Sequence, residues 1–409
     1  MNGYWRAMML RRFLRRTRMV ILLAAAWAAV YYANTELHRR AYEQLLAGNL
    51  ETALASLRFV VTVEPNFFLH RGAMGRKAME RAFREAAGEL SSRRARVLVA
   101  AGPLMSSPAA DGNAIYVGDN GDFLMKIDAD SFKVLWKYKT GGDIETQPLV
   151  APDGKVYVAA HDGLHVVDPE MGKGRLLYPI RWGESSPAYA TGTIFVGTDS
   201  GQLLALDAGS GALKWAAAAA GPVESSPAVS GGRVFFGCNK GVLYAVDAES
   251  GLGEWEKLAG GRIEGRPLVM GDSVFVGTTE GKAYSFDVNN GGERWERNLG
   301  GSIQGSAAGA DGIVAFGTMR GDVFGLDVNN GSVLWVFRRA GPVEAGLTID
   351  GGTVYATTHY GFLHAVDLKT GKRLRSFLAG WDVDESAPLV HDGRVYFGAM
   401  DGRFYSVEK

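Results

Sequence analysis

The chain has 409 residues, 47% of them hydrophobic, with 55 glycines and a formal net charge of zero. Its length and apolar content are enough for a large core, and a single cysteine, Cys238, excludes an intrachain disulfide framework. Charge is unevenly spread: residues 1–33 hold six arginines and no acid, whereas residues 96–409 hold 28 basic against 37 acidic side chains, a net of −9 that argues against a nucleic-acid surface.

Residues 1–18 read as a basic cytoplasmic tail. The uncharged run from Met19 to Thr35 just reaches the length of a membrane-spanning helix, and Trp27, Tyr31 and Tyr32 are spaced for an aromatic belt. Arginines on the N-terminal flank place that end in the cytoplasm and everything after the span outside. The competing reading is a cleaved signal peptide with a small-x-small site at Ala26-Trp27-Ala28. No cysteine precedes position 238, so there is no site for a lipoprotein acyl chain.

Residues 36–94 read as helical. Leu37, Ala41 and Leu45 share one helix face; after Gly48-Asn49, Ala53, Leu57 and Val60 share another, closed by Pro65-Asn66. The spacing of Gly48, Ala53, Leu57 and Pro65 resembles half of a tetratricopeptide repeat. One such unit cannot bury its own apolar face, so residues 68–92 are expected to supply a third helix. The segment is then a docking element for a partner helix or a plain helical spacer.

From about residue 95 the chain repeats. Asp128, Asp168, Asp207, Asp247, Asp287, Asp327 and Asp367 hold one place in successive copies, at gaps of 40, 39 and then 40. Eight residues after five of these aspartates stands a tryptophan: Trp136, Trp215, Trp255, Trp295 and Trp335. Gly121, Gly163, Gly201, Gly241, Gly281, Gly321, Gly361 and Gly402 count eight copies. A fixed period of this length means a repeat architecture. In the fourth copy, short Gly/Asn turns cut four strands: A at Ser225–Val229, B at Arg233–Phe236, C at Leu243–Val246 and D at Gly253–Lys257. Between C and D lies Asp-x-x-x-Gly, whose carboxylate suits turn amides. Four antiparallel strands every 40 residues predict a mainly β fold: an eight-bladed β-propeller with four-stranded blades over residues 95–409, preceded by a transmembrane helix and the short helical segment. The last copy lacks a D strand, and Arg96–Ala101 is expected to complete it and close the ring.

The recurring G-x-L-Y-A-[VL]-D-x-x-[ST]-G-x-x-x-W pattern resembles the repeat of pyrroloquinoline-quinone-type (PQQ-like) propellers, a family that includes quinone-dependent dehydrogenases and non-enzymatic BamB-like proteins. The resemblance implies that the five tryptophans dock neighbouring blades. Copies two and seven carry Leu176 and Arg375 at that place, so looser junctions are expected there.

One set of polar residues is in register at the start of the A strands: Glu145, Glu184, Glu224, Glu264, Gln304, Glu344 and Asp384, with Met105 in the first copy. Because A strands line a propeller's channel, these residues are expected to form an acidic ring near one mouth, open to a cation or a basic segment of a partner. The alternative is local pairing, with backbone amides or with Arg262 and Arg266. Whether a metal binds is left open. Cys238 reads as a small buried apolar residue; His161, His359 and His391 read as solvated loop residues. There is no C-x-x-C-H motif, no adjacent Cys pair and no long insertion to build a substrate pocket. The expectation is therefore a single-pass protein of a bacterial inner membrane without a cofactor. It displays a protein-binding scaffold outside the cytoplasm for cell-envelope or membrane-complex assembly, with membrane or envelope proteins as partners. The alternatives are a PQQ- and Ca²⁺-dependent oxidoreductase and a propeller that senses a ligand or cation.

Overall fold

The computed structural model describes residues 95–180, 184–338, 340–379, 382–383 and 385–409. The expected membrane span at 19–35, the tetratricopeptide-like segment at 36–94 and the ring residue Asp384 lie outside the described residues.

Among the described residues, thirty-two strands form eight four-stranded antiparallel sheets. Seven blades are simple meanders in chain order. Blade 4, for example, runs Ala228–Ser230 (A), Arg233–Gly237 (B), Val242–Asp247 (C) and Gly253–Leu258 (D). The eighth is composite: Leu389–His391, Arg394–Gly398 and Arg403–Glu408 supply A to C, and Arg96–Val99 supplies D. Arg96 pairs with Ser406 and Leu98 with Phe404. Leu98 also packs on a cluster holding Ile115, Val117 and Phe404, so the closing strand is anchored to blade 1 as well as blade 8. The ring closes as the missing D strand required.

Sequence and burial agree strand by strand. B and C strands lie inside a stack of blades, are covered on both faces and read as apolar runs: Val234, Phe235 and Phe236 are fully buried. D strands are outermost and alternate, so Gly253–Leu258 is half exposed. The core therefore sits in the wedges between blades. One such wedge joins Phe195, Leu203 and Ala205 of blade 3 to Val234, Phe236 and Val246 of blade 4.

Five of the wedges are closed on the outside by a tryptophan. The Trp295 indole N–H donates to the Val328 carbonyl at 2.9 Å, and its ring lies against Gly331 of the next blade's Asp-x-x-x-Gly turn. A Cβ on Gly331 would come within 2.6 Å of the ring, and the residue has φ of +66°, so two constraints demand glycine. Trp136, Trp255 and Trp335 repeat the contact through Pro169, Val288 and Leu368. Trp215 packs on Gly251 likewise, yet its buried N–H has no acceptor among the described residues. At the blade 2 junction Leu176 is 42% exposed. In blade 8 the same register falls to Arg96, whose guanidinium donates to the Ala129 carbonyl at 3.1 Å in place of an indole.

One expectation needs correction. The hydrogen-bonded A strands are shorter than anticipated and start later: Ala228–Ser230 rather than Ser225–Val229. Pro227 has no N–H to give a ladder, and the Ser225 hydroxyl accepts the Gly237 N–H at 3.1 Å, replacing a backbone partner. The polar register thus precedes the A strands instead of opening them.

Candidate functional site

The segments leading into the A strands surround the channel axis and are tied to it in layers. In the buried layer, hydroxyls link one blade to the next: Ser106 donates to the Thr146 carbonyl at 2.7 Å, Ser185 to Ser225 at 3.1 Å and Ser386 to Ser106 at 3.0 Å. Each of these hydroxyls also accepts the N–H of a glycine at or next to the end of its own B strand. One residue on, the backbone N–H of Gln147, Ser186, Arg266 and Ala387 finds the hydroxyl of the neighbouring blade's serine. Blades 5 and 6 place Gly265 and Gly305 in the buried layer. A Cβ on Gly305 would lie 2.2 Å from the Ala345 carbonyl oxygen, so the backbones meet directly there.

This belt holds the residue before each buried serine at one mouth. Glu145, Glu184, Glu224, Glu264, Gln304 and Glu344 all line a single cavity of about 730 Å³. With Asp350 and Glu385, seven carboxylates line it against two arginines, Arg262 and Arg266. The B–C loops share this face: the N–H groups of Asn120, Asn239, Thr279, Met319 and His359 donate to the carbonyls of Pro103, Pro222, Arg262, Ser302 and Pro342, each two residues before a ring position.

Those loop residues pair with much of the ring. Glu145 accepts from Asn120 at 3.0 Å and lies 3.3 Å from His161 Nε2. Glu224 accepts from Asn239, and Glu264 meets Arg262 at 3.2 Å. Glu344 lies 2.6 Å from His359 Nε2 and accepts from Gln304 at 3.3 Å. The other His359 nitrogen faces Asp382 at 3.1 Å. Arg266 joins no carboxylate among the described residues; its Nε donates to the Pro227 carbonyl. Glu184 differs from the rest, having no hydrogen bond or ion pair among the described residues. It is open to channel water, but the surrounding protein desolvates it and Glu224, Asp199 and Glu145 repel its charge, pushing its pKa up to about 7. Burial and Glu224 raise Asp199 likewise.

His161 and His359 were expected to be solvated. The structure instead turns both toward the ring, and His359 is buried. The available signal was their register: each follows a ring glutamate by fifteen or sixteen residues, as Asn239 follows Glu224. His391, at the A–B turn, reaches blade 1 by donating from Nε2 to the Gly112 carbonyl at 2.7 Å. Cys238 is buried at the place of Thr198, Thr278, Thr318 and Thr358, as a small core residue. Among the described residues no three His, Cys, Asp or Glu side chains are grouped to hold a metal ion.

The sequence profile described as outer membrane protein assembly factor BamB matches residues 81–178, 170–315 and 319–409, which together span the whole propeller. The chain belongs to the BamB family of PQQ-like propellers. Among BamB proteins, that of Shewanella oneidensis is 28% identical over 118 residues, covering 27% of this chain and 30% of the relative. The BamB of Burkholderia pseudomallei is 33% identical over 114 residues, 27% of this chain and 29% of the relative. The matched stretch thus spans under a third of these relatives' length. The crystal structure of BamB from Moraxella catarrhalis superposes with a TM-score of 0.66 at 19% identity, over 76% or more of either chain: 77% of this one and 98% of that one. The computationally designed Ika8 protein and Sqt1 of Saccharomyces cerevisiae both give 0.67, at 18% and 12% identity, each covering 76% of this chain and 98% of its own. At these identities the superpositions speak to the fold alone.

Proposed function

We propose that this BamB-family chain is a non-enzymatic scaffold of cell-envelope assembly, anchored by residues 19–35 in a bacterial inner membrane with the propeller on the periplasmic side. Its partners are other membrane or envelope proteins. Family membership over the whole propeller supports the assembly role, since the relatives are named outer membrane protein assembly factors. The observation that carries the docking site is the channel mouth, where five ring glutamates line one cavity and Glu184 has no hydrogen bond or ion pair among the described residues. Such a mouth attracts a basic segment by long-range steering and offers it one carboxylate that costs no existing ion pair. A charged partner replaces the water that Glu184 has lost and holds it ionised.

The test is photocrosslinking of the full chain in native membranes, with the reactive residue placed at Glu184 and at Glu264. A discrete adduct with an envelope protein, weakened when Glu184 and Glu224 are both changed to glutamine in a chain probed at Glu264, is expected. No adduct at either position would overturn the docking reading.

A further inference from the structure

The junction between blades 7 and 8 is built differently from every tryptophan junction. Elsewhere the docking ring needs two things from the next blade: the carbonyl just past its C strand and the glycine of its C–D turn. Blade 8 has no C–D turn, because its fourth strand is Arg96–Val99 from the other end of the propeller. The D strand of blade 7 correspondingly carries Arg375 at the tryptophan place, opposite Ala365.

Two arginines therefore occupy the same register in adjacent blades, with opposite outcomes. Arg96 of blade 8 faces the intact turn of blade 1 and is satisfied by the Ala129 carbonyl. Arg375 faces no turn, and its Nη1 is buried without a hydrogen-bond partner among the described residues. An unsatisfied buried donor on a charged group is costly, and an ionised acceptor is what best relieves it. Glu408, which also borders the cleft, lies 3.8 Å from Arg394, and Asp350 meets Lys409.

Space accompanies the missing acceptor. A cavity of about 290 Å³ opens between the two blades, walled by Leu363, Phe377, Val395 and Val407 with Tyr355 beside Arg375. These four apolar residues are all less than a tenth exposed. Cavities of roughly half this volume accept a benzene ring, so this one holds an aromatic ring with a short acidic arm. We propose that the blade 7–8 cleft is a binding site for a small amphipathic monocarboxylate, its ring in the apolar pocket and its carboxylate on Arg375.

The test uses 3-phenylpropionate as probe and its amide as the neutral control, titrated calorimetrically into the full chain in detergent, with Arg375→Met in the same detergent to cancel partitioning. The acid should bind saturably. Both the amide and the R375M variant should bind at least about tenfold more weakly, the share of one charge-assisted hydrogen bond. Equal binding of acid and amide to the unaltered chain, undiminished binding of the acid to R375M, or no saturable binding to the unaltered chain would each overturn the proposal. The acid-to-amide comparison needs no variant, so a misfolded R375M does not leave the question open.

Discussion

The docking tryptophans give a paired experiment in which the packing change is the same and the hydrogen-bond change is not. Trp295 and Trp215 occupy equivalent places, each against a glycine of the next blade and each 5.7–5.8 Å from an aromatic ring of its own B strand, Phe275 or Phe195. Changing either to phenylalanine removes similar apolar surface. In Trp295→Phe the Val328 carbonyl also loses its indole donor, and leaving a buried acceptor unmade costs about 1–3 kcal/mol. In Trp215→Phe a buried N–H that has no acceptor disappears, so a penalty of about the same size is relieved. W295F should therefore be less stable than W215F by about 2 kcal/mol or more. Urea unfolding followed by near-ultraviolet circular dichroism, comparing midpoints at unchanged transition slope, reads this directly. A midpoint loss in W215F equal to that in W295F would refute the claim that Trp215 docks without its hydrogen bond.

Glu184 makes stability depend on pH. Its folded pKa of about 7 lies above the ordinary 4.5, so folding favours the protonated form. Stability should rise as pH falls from about 8 toward 4.5 and be lost as pH rises through 7. Glu184→Gln should flatten that part of the profile in thermal unfolding, by less than about 1 kcal/mol because channel water screens the charge. Ser225→Ala removes the hydroxyl that accepts the Gly237 N–H and should cost about 1–3 kcal/mol in the same urea assay. Gly305→Ala drives a methyl into the Ala345 carbonyl and should destabilise more than Gly253→Ala, where a Cβ meets open space. Leu98→Pro interrupts pairing with Phe404 and should lower the unfolding free energy by about 3 kcal/mol, whereas Leu258→Pro at the far end of an exposed D strand should cost less.

Most of the fold could be read from three periodic positions, because each does a job that recurs from blade to blade. The aspartate closes the C–D turn, the glycine takes a left-handed turn and the tryptophan seals a wedge. The same periodicity is enough to place Glu145, Glu184, Glu224, Glu264, Gln304 and Glu344 around one axis. What it did not show was pairing. Whether a B–C loop tip turns inward depends on the hydrogen bond from residues such as His359 N to the Pro342 carbonyl, and no spacing displays that bond. His161 and His359 consequently read as solvated although they face glutamates. The A-strand boundary was misplaced for a related reason: Ser225 looks like a strand residue by pattern, and only the structure shows its side chain doing the backbone's work. Arg375 was visible as a departure from the tryptophan series, but the cleft beside it follows from blade 8 borrowing its outer strand from far away in the chain.

That borrowed strand also sets an order of events during synthesis. Arg96–Val99 leaves the ribosome early and cannot pair until Arg403–Glu408 has followed. At ordinary translation speeds, a gap of about 300 residues means a wait of roughly 15–60 seconds. During that interval Val97, Leu98 and Val99 present an unpaired apolar edge, while blades 1 to 7 are free to form one after another behind them. The propeller strand made first is the last to be used, and a holding chaperone has its longest opportunity at this one segment.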